Sequence, residues 1–360
     1  MKKVLSIASA FIGVIIGAGF ASGNEIVQYF TSLGMVGTFA IILSAFLFGY
    51  MGWILTKLGS RLKAQSHDDV IYKIGGKFLG RVIDYILIFV LFGVGVVMIA
   101  GGGSTLKQQF DLPFAVGAVA MAVLVFVACL GNVELVEKII GAITPFLLIA
   151  VVGVSVYSLA TMSASFSELE VIAKENTTPV ISNWILSAFN YVSFNIAVGA
   201  SMSIVMGGAE KNEKTAAMGG LVGGIGVGLI MILSHLAIFA KMDVVATVDM
   251  PMLALVNDIS PILGTIYSFV LFAMVFNTAL GMFFAFSVRF GKPGTKKFTI
   301  FTAATIVVGF ILSFVGFTGL VAFFYPLFGY LGLVLMACLV VASFRMPKQN
   351  IESVSSEKTA

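Results

Sequence analysis

Ten runs of apolar residues, each about as long as a membrane-spanning helix, dominate the sequence and limit the folds it can adopt. A bilayer core about 30 Å thick needs about 20 apolar residues in a helix. We number the predicted helices span 1 to span 10, and they cover residues 4–30, 35–57, 82–106, 112–131, 139–161, 181–207, 216–240, 264–288, 297–315 and 318–344. This pattern predicts an all-α polytopic membrane protein.

The composition excludes several classes of protein. The chain is 59% hydrophobic and 11% charged, whereas soluble domains are about 45–50% apolar and about 25% charged. A water-soluble fold of this length cannot cover so much apolar surface, which argues against a cytosolic enzyme, a nucleic-acid-binding protein and a secreted disulfide scaffold. With two cysteines and two histidines, we expect no cofactor and no cluster of metal-binding side chains.

The distribution of lysine and arginine predicts the orientation. If the N-terminus is inside and ten spans alternate, the outer side holds only Lys107, Lys174 and Lys241 of the 21 basic residues. Cytoplasmic loops are rich in basic residues. We therefore expect a multi-pass protein of the cell (plasma or inner) membrane with both termini in the cytoplasm.

The chain divides into two halves with a similar pattern of loops. Five spans occupy residues 1–161, a polar outer loop occupies 162–180, and five more spans occupy 181–345. An odd number of spans in each half makes the second half inverted relative to the first. A long segment connects the second and third spans of each half, at 58–81 and at 241–263. Both segments are expected to lie at the interface between membrane and water. Residues 346–360 are polar and are expected to form a disordered cytoplasmic tail.

The first span of each half is rich in small and polar residues near its middle. In span 1 this stretch runs from Gly17 to Gly23, and in span 6 from Ser193 to Ser201. Unwound backbone at membrane depth is tolerated where it is buried in protein or lines a wet cavity. We therefore predict a helix break in both spans, with freed amides and carbonyls available to a ligand.

The stretch from Gly17 to Gly23, followed by Asn24, Glu25 and Ile26, resembles the YkvI-like amino-acid permeases. With the ten-span layout, it is similar to the amino acid–polyamine–organocation superfamily. That resemblance implies a LeuT-type 5+5 inverted repeat with broken helices 1 and 6. It also implies three sets of site residues. The substrate loop would comprise Gly17, Ala18, Gly19, Phe20, Ser22 and Gly23. The facing side of span 6 would comprise Asn190, Tyr191, Ser193 and Asn195. A coupling cation, Na⁺ in some relatives, would lie between Gly17 and the pair Asn277 and Thr278 of span 8.

Two ionisable residues within the spans have alternative roles. Placing the carboxylate of Glu25 at the centre of a helix costs about 2.5–3.5 kcal/mol on insertion scales, so such a residue is a functional candidate. It could pair with a cationic substrate group, take up a proton or stabilise a nearby Na⁺ ion, or it could reach the outer surface. His235 could be a hydrogen-bonded structural group or a proton relay.

These features predict a transporter and not an enzyme. No lysine or arginine is expected in the membrane interior, which favours a neutral, zwitterionic or cationic solute over a phosphate or dicarboxylate. We expect an ion-coupled symporter working by alternating access on a small solute, an amino acid or an amine, with Na⁺ or H⁺ as the coupling ion. The alternatives are a passive channel or facilitator for a small polar solute and a membrane-embedded enzyme.

Overall fold

The computed structural model describes residues 1–64, 68–131, 144–162 and 164–345, and all regular elements in these ranges are helical. Within these described ranges seven helices are long and apolar enough to cross a membrane, and they correspond to spans 2, 3, 6, 7, 8, 9 and 10. Their bounds are Val36–Leu62, Gly76–Phe110, Trp184–Ala209, Glu213–Ala240, Pro261–Val288, Lys296–Ser313 and Phe317–Arg345.

The other three predicted spans are also present as helices. Span 4 is Phe114–Leu130 and span 5 is described as Thr144–Ala160, while residues 139–143 lie outside the described part of the chain. Span 1 consists of three pieces, Lys2–Ile15, Ala18–Ser22 and Asn24–Tyr29. In the described part of the chain each of the ten predicted spans thus corresponds to helical structure, and the protein is a multi-pass membrane protein.

The connecting segments contain shorter helices. The segment 241–263 includes Met242–Val245 and Pro251–Ile259, and the loop 162–180 includes Phe166–Asn176. In the first half of the chain, the helix Asp68–Phe110 begins within the segment 58–81 and continues into span 3. Its backbone is non-helical at Gly76. The predicted tail, 346–360, lies outside the described residues, and the division into two repeats stays a prediction at the level of residue boundaries.

Spans 1, 2, 6 and 7 pack against one another as one group. The backbones of spans 2 and 7 approach closely, because a Cβ atom added to Gly220 would collide with the carbonyl oxygen of Gly52. Near this crossing the hydroxyl of Thr56 donates a 2.8 Å hydrogen bond to the carbonyl of Ala216. Small residues permit this distance between membrane helices, where close packing contributes much of the association energy.

Spans 3, 4, 8 and 9 form a second group, and span 10 packs on both span 6 and span 3. In this group Phe283 of span 8 lies against Gly95 of span 3 and Gly309 of span 9. Span 1 belongs to the first group, and its short helix Ala18–Ser22 contacts span 8 of the second. The candidate site is at this junction of the two groups.

Span 6 is a continuous helix from Trp184 to Ala209, so the predicted break at 193–201 is wrong. The polar side chains of Ser193 and Asn195 form hydrogen bonds without any unwinding of the helix. Ser193 donates to the carbonyls of Asn190 and Gly329, and the Asn195 amide donates to the carbonyl of Tyr191. Such bonds to a carbonyl three or four residues earlier are compatible with an intact helix. Gly199 provides close packing, since an added Cβ would press on the side chain of Ile15.

Candidate functional site

Span 1 is interrupted at two points. The first helical piece ends at Ile15, after which Gly17 is extended (φ −94°, ψ −170°) before the short helix Ala18–Ser22 begins. Gly23 then adopts a left-handed conformation with φ 81°. Glycine reaches this region without steric cost, and a Cβ at this position would also press on Met252. The break predicted in span 1 is therefore present.

Side chains of other spans bind several carbonyls of this broken segment. The hydroxyl of Tyr267 in span 8 donates a 2.7 Å bond to the carbonyl of Ala21. The hydroxyl of Ser187 in span 6 donates a bond of the same length to the carbonyl of Tyr29. Buried backbone groups without a partner are costly in a membrane. These bonds stabilise the interrupted backbone and connect it to both helix groups.

A cavity of about 810 Å³ lies beside the first interruption. Residues of five spans line it, namely spans 1, 3, 6, 8 and 10. At its deep end Glu25, Met98 and Met274 are buried, whereas Ser9 and Met202 near the other end are exposed. The cavity therefore opens toward the membrane face from which the N-terminal helix Lys2–Ile15 starts.

Glu25 carries the one carboxylate among the lining residues. Its side chain is 5% exposed. The hydroxyl of Tyr191 donates a 2.9 Å hydrogen bond to its Oε2 atom, and the hydroxyl of Tyr325 also bonds the carboxylate. Among the described residues no lysine, arginine or histidine forms an ion pair with Glu25. The acid therefore lies deep in the protein, held by phenols and free of a fixed counter-ion.

Two aromatic rings form part of the cavity wall near this acid. Phe194 of span 6 and Tyr325 of span 10 stack with ring centroids 4.2 Å apart and an interplanar angle of 28°. Both residues line the cavity. This stacked pair joins spans 6 and 10 and presents an apolar surface beside the carboxylate.

The candidate cation site brings together parts of spans 1 and 8. A Cβ atom built on Gly17 would lie 3.9 Å from the Thr278 hydroxyl oxygen, and Asn277 lines the same cavity. The Oδ1 atom of Asn277 is buried without a hydrogen-bond partner. An unpaired buried carbonyl oxygen is costly, and a hard cation such as Na⁺ would satisfy it.

The structure brings together seven of the residues predicted for the site. The cavity lining includes Gly17, Ala18, Gly19, Glu25, Asn195, Asn277 and Thr278. Tyr191 reaches this set through its bond to Glu25. Phe20, Ser22 and Gly23 are buried behind the cavity. Asn190 and Ser193 instead bond the carbonyls of Pro326 and Gly329 in span 10.

Comparisons with known proteins agree with this geometry. Over 93% of its length the chain is 27% identical to the uncharacterized membrane protein YkvI of Bacillus subtilis (strain 168), of which 94% is covered. It is also 26% identical to the uncharacterized protein YyaD of the same organism, over 92% of this chain and 94% of that protein. No family model matches the chain. The residues of span 1 predicted a similarity to YkvI-like proteins, and the comparison confirms it.

Several solved transporters share the arrangement of helices. The structure of MhsT in complex with L-phenylalanine matches with a TM-score of 0.63 at 15% identity, covering 96% of this chain and 92% of that chain. Inward-facing Mhp1 matches with a TM-score of 0.60 at 16% identity, covering 95% and 78%. A Na⁺-coupled sialic acid symporter matches with a TM-score of 0.55 at 14% identity, covering 93% and 78%. This chain has the LeuT fold.

In this LeuT-type structure a polar network closes the side opposite the cavity mouth. The sequence did not predict this network. The Asn24 amide donates to the backbone carbonyl of Asp249 at 3.0 Å and to the Thr318 hydroxyl at 2.9 Å. Thr318 and Ser104 in turn donate to the two carboxylate oxygens of Asp249, at 2.7 and 2.9 Å. Gln28 donates to Asn24 at 2.7 Å. The network joins spans 1, 3 and 10 to the loop before span 8.

The mouth side of the LeuT-type bundle carries an ion pair. Lys3, at the start of span 1, lies 3.1 Å from the carboxylate of Glu210, just after span 6. The backbone amide of Asn212 and the ammonium of Lys3 hold the pKa of Glu210 below its usual value. Because the Lys3 side of the pair is open to solvent, the pair contributes little to stability. It connects the two spans that flank the cavity mouth.

His235 of span 7 has a structural environment in this LeuT-type bundle. Its Nδ1 and Nε2 atoms each lie 3.0 Å from a threonine hydroxyl, Thr31 and Thr38 respectively. The ring is 1% exposed. The geometry favours the structural alternative, because both ring nitrogens are used to connect span 7 to other segments: one to Thr31 between spans 1 and 2, the other to Thr38 near the start of span 2.

One site residue that sequence reasoning missed is Tyr325. Its position next to Pro326, a proline inside the helix of span 10, was the available signal, since the phenol places a polar group within an apolar run. The methionines Met98, Met202, Met274 and Met282 also line the cavity. They gave no signal, because methionine is equally common in membrane helices that face lipid.

Proposed function

We propose that this protein is a secondary active transporter for a small zwitterionic or cationic solute, an amino acid or an amine. The observation that carries the proposal is the cavity of about 810 Å³ at the break in span 1, between two packed helix groups. A site at the interruption of a helix, near the middle of the bilayer, is the arrangement on which alternating access depends. A cavity of this size accepts a small organic solute.

The cavity supports one state of the transport cycle. It is open toward the face that bears the N-terminal helix and closed on the other by the network of Asn24, Asp249 and Thr318. With the N-terminus in the cytoplasm, as the basic residues predict, this is an inward-open state. Transport would then require the network to open while the mouth closes, with spans 1, 2, 6 and 7 moving against the rest.

The unpaired Oδ1 atom of Asn277, beside Thr278 and Gly17, supports a coupling cation. We propose Na⁺ or H⁺ symport, with Na⁺ placed among these three residues and Glu25 as the group that would carry a proton. The solved Na⁺-coupled sialic acid symporter, which shares the fold, supports the ion-coupled mechanism.

The test is uptake of radiolabelled amino acids and amines into proteoliposomes, with separate inward gradients of Na⁺ and H⁺. We expect accumulation of a solute above its external concentration under one gradient and its collapse when an ionophore dissipates that gradient. A passive channel or facilitator would equilibrate the solute under all conditions. An enzyme would convert it, which chromatography of the vesicle contents would show. Failure of every solute in the panel to enter would contradict the proposal.

A further inference from the structure

The cavity has a marked asymmetry of charge. Among its lining residues Glu25 bears the one carboxylate, and no lysine, arginine or histidine of the described chain lines the cavity. A buried carboxylate without a fixed counter-ion is electrostatically unsatisfied when it is ionised. The described side chains that line the cavity therefore offer a charged partner to a positive group and none to a negative one.

The carboxylate of Glu25 also lies against the broken backbone of span 1. A Cβ atom built on Gly19 would overlap the carboxylate of Glu25, so this side chain lies directly against the start of the short helix Ala18–Ser22. Two carboxylates within a few ångströms repel each other strongly in a medium of low dielectric constant. A ligand that carries its own carboxylate would have to place it beside that of Glu25.

The rest of the cavity suits an apolar body. Met98, Met202, Met274 and Met282 approach it from three spans, and the stacked rings of Phe194 and Tyr325 form the wall near the acid. Methionine adapts to apolar groups of different shape. Aromatic faces also attract an ammonium group.

Resting on the proposed transport function, we propose that the substrate is a small primary amine without a carboxylate, whose ammonium group pairs with Glu25 while its apolar chain lies among the methionines. Tyr191 and Tyr325 keep the carboxylate oriented toward the cavity through their hydroxyl groups. Amino acids are poorer substrates for this site, because their carboxylate would lie near that of Glu25 and no cationic side chain among the described lining residues would pair with it.

The experiment compares ligands that share one apolar body. Phenethylamine, L-phenylalanine and 3-phenylpropionate all carry a benzyl group and differ in whether they bear an ammonium, both charges or a carboxylate. Binding of each to the full-length protein in nanodiscs is measured by competition with radiolabelled phenethylamine. The aliphatic set of isoamylamine, L-leucine and 4-methylpentanoate repeats the comparison. We expect each amine to bind about tenfold or more tightly than its amino acid, and the acids not to compete.

Glu25→Gln tests the residue. It is expected to weaken binding of both amines about tenfold or more, whereas Gly153→Ala, in span 5 with open space around the position, should bind as the wild type does. The comparison of amine with amino acid on the wild-type protein stands even if Glu25→Gln does not fold. A folded Glu25→Gln protein with unchanged amine binding would remove Glu25 from the site.

The other outcomes separate the two proposals. Binding of L-phenylalanine or L-leucine as tightly as the matching amine would overturn the inference and leave the transporter in place. Failure of both amines to bind at millimolar concentration would also overturn it. If amino acids are then accumulated by proteoliposomes, the proposed transport function survives alone.

Discussion

The hydroxyl of Tyr191 in span 6 donates a 2.9 Å hydrogen bond to the carboxylate of Glu25 in span 1. The tyrosine ring is also packed edge-on against Phe30, with centroids 5.0 Å apart. This contact joins the two spans that flank the cavity at the depth of the break in span 1. The orientation of the Glu25 carboxylate therefore depends on the position of span 6 as well as on that of span 1.

The first prediction concerns this bond. Tyr191→Phe removes one donor from a buried carboxylate, and loss of a hydrogen bond to a charged group costs about 1.5–3 kcal/mol. We expect a lower unfolding temperature in detergent, measured by scanning fluorimetry. In the Glu25→Gln background the same change should have a smaller effect, because the charged acceptor is gone. Additive effects of the two changes would show that the bond contributes nothing specific.

The second prediction concerns Gly19. A Cβ at this position would overlap the Glu25 carboxylate and lie 3.1 Å from the Tyr325 hydroxyl. Gly19→Ala should reduce uptake about tenfold or more, equivalent to about 1.4 kcal/mol, and Gly19→Leu should abolish it while the protein still inserts. Gly153→Ala is the matched control, and normal transport by Gly19→Leu would show that this segment does not line the binding site.

The third prediction concerns the closed face. Thr318→Val keeps the shape of the side chain and removes the hydroxyl that bonds Asp249 and Asn24. The closed side should then open more often. A single cysteine at Val198, in a background lacking Cys129 and Cys338, should react severalfold faster with an impermeant thiol reagent added from that face. Thr161→Val, at an exposed position, is the control, and equal labelling in both would mean that the network does not close the cavity.

The fourth prediction concerns the coupling ion. Asn277→Leu removes the unpaired Oδ1 atom, and Thr278→Val removes the neighbouring hydroxyl. If Na⁺ is the coupling ion, each change should raise the Na⁺ concentration needed for half-maximal uptake about tenfold or more, with a smaller effect on solute affinity at saturating Na⁺. Initial rates over a Na⁺ titration give this value. Wild-type Na⁺ dependence in both variants would place the cation elsewhere.

The fifth prediction concerns His235. Its two ring nitrogens each contact a threonine hydroxyl, so His235→Phe should lower the unfolding temperature by leaving Thr31 and Thr38 without these partners. Uptake per folded molecule should keep the pH dependence of the wild type. A shifted or flattened pH profile would instead indicate that this histidine transfers protons.

The sequence was sufficient to predict the membrane-spanning helices and the break in span 1, whereas the break predicted in span 6 is wrong. A membrane-spanning helix depends on the apolar character of about 20 consecutive residues, which is local information, and the bounds of Val36–Leu62 and Trp184–Ala209 lie close to the predicted ones. The break in span 1 was also accessible, because this stretch is rich in glycine and Gly23 adopts a left-handed conformation that glycine reaches without steric cost.

The continuity of the helix in span 6 was decided by the tertiary structure. Ser193 and Asn195 are polar enough to suggest unwinding, but the carbonyl of Gly329 in span 10 and carbonyls of span 6 itself accept their hydrogen bonds. Tertiary structure also brought Tyr325 to Glu25 and Asp249 to Thr318. These partners lie far apart in the sequence. Hydropathy indicates how apolar each helix is, but it does not indicate which neighbouring helix its polar atoms will contact. The amino-acid sequence alone therefore determined which segments cross the membrane and where the helix of span 1 is broken. Packing between distant helices decided which polar groups meet, because each buried hydrogen bond depends on the position of two helices at once.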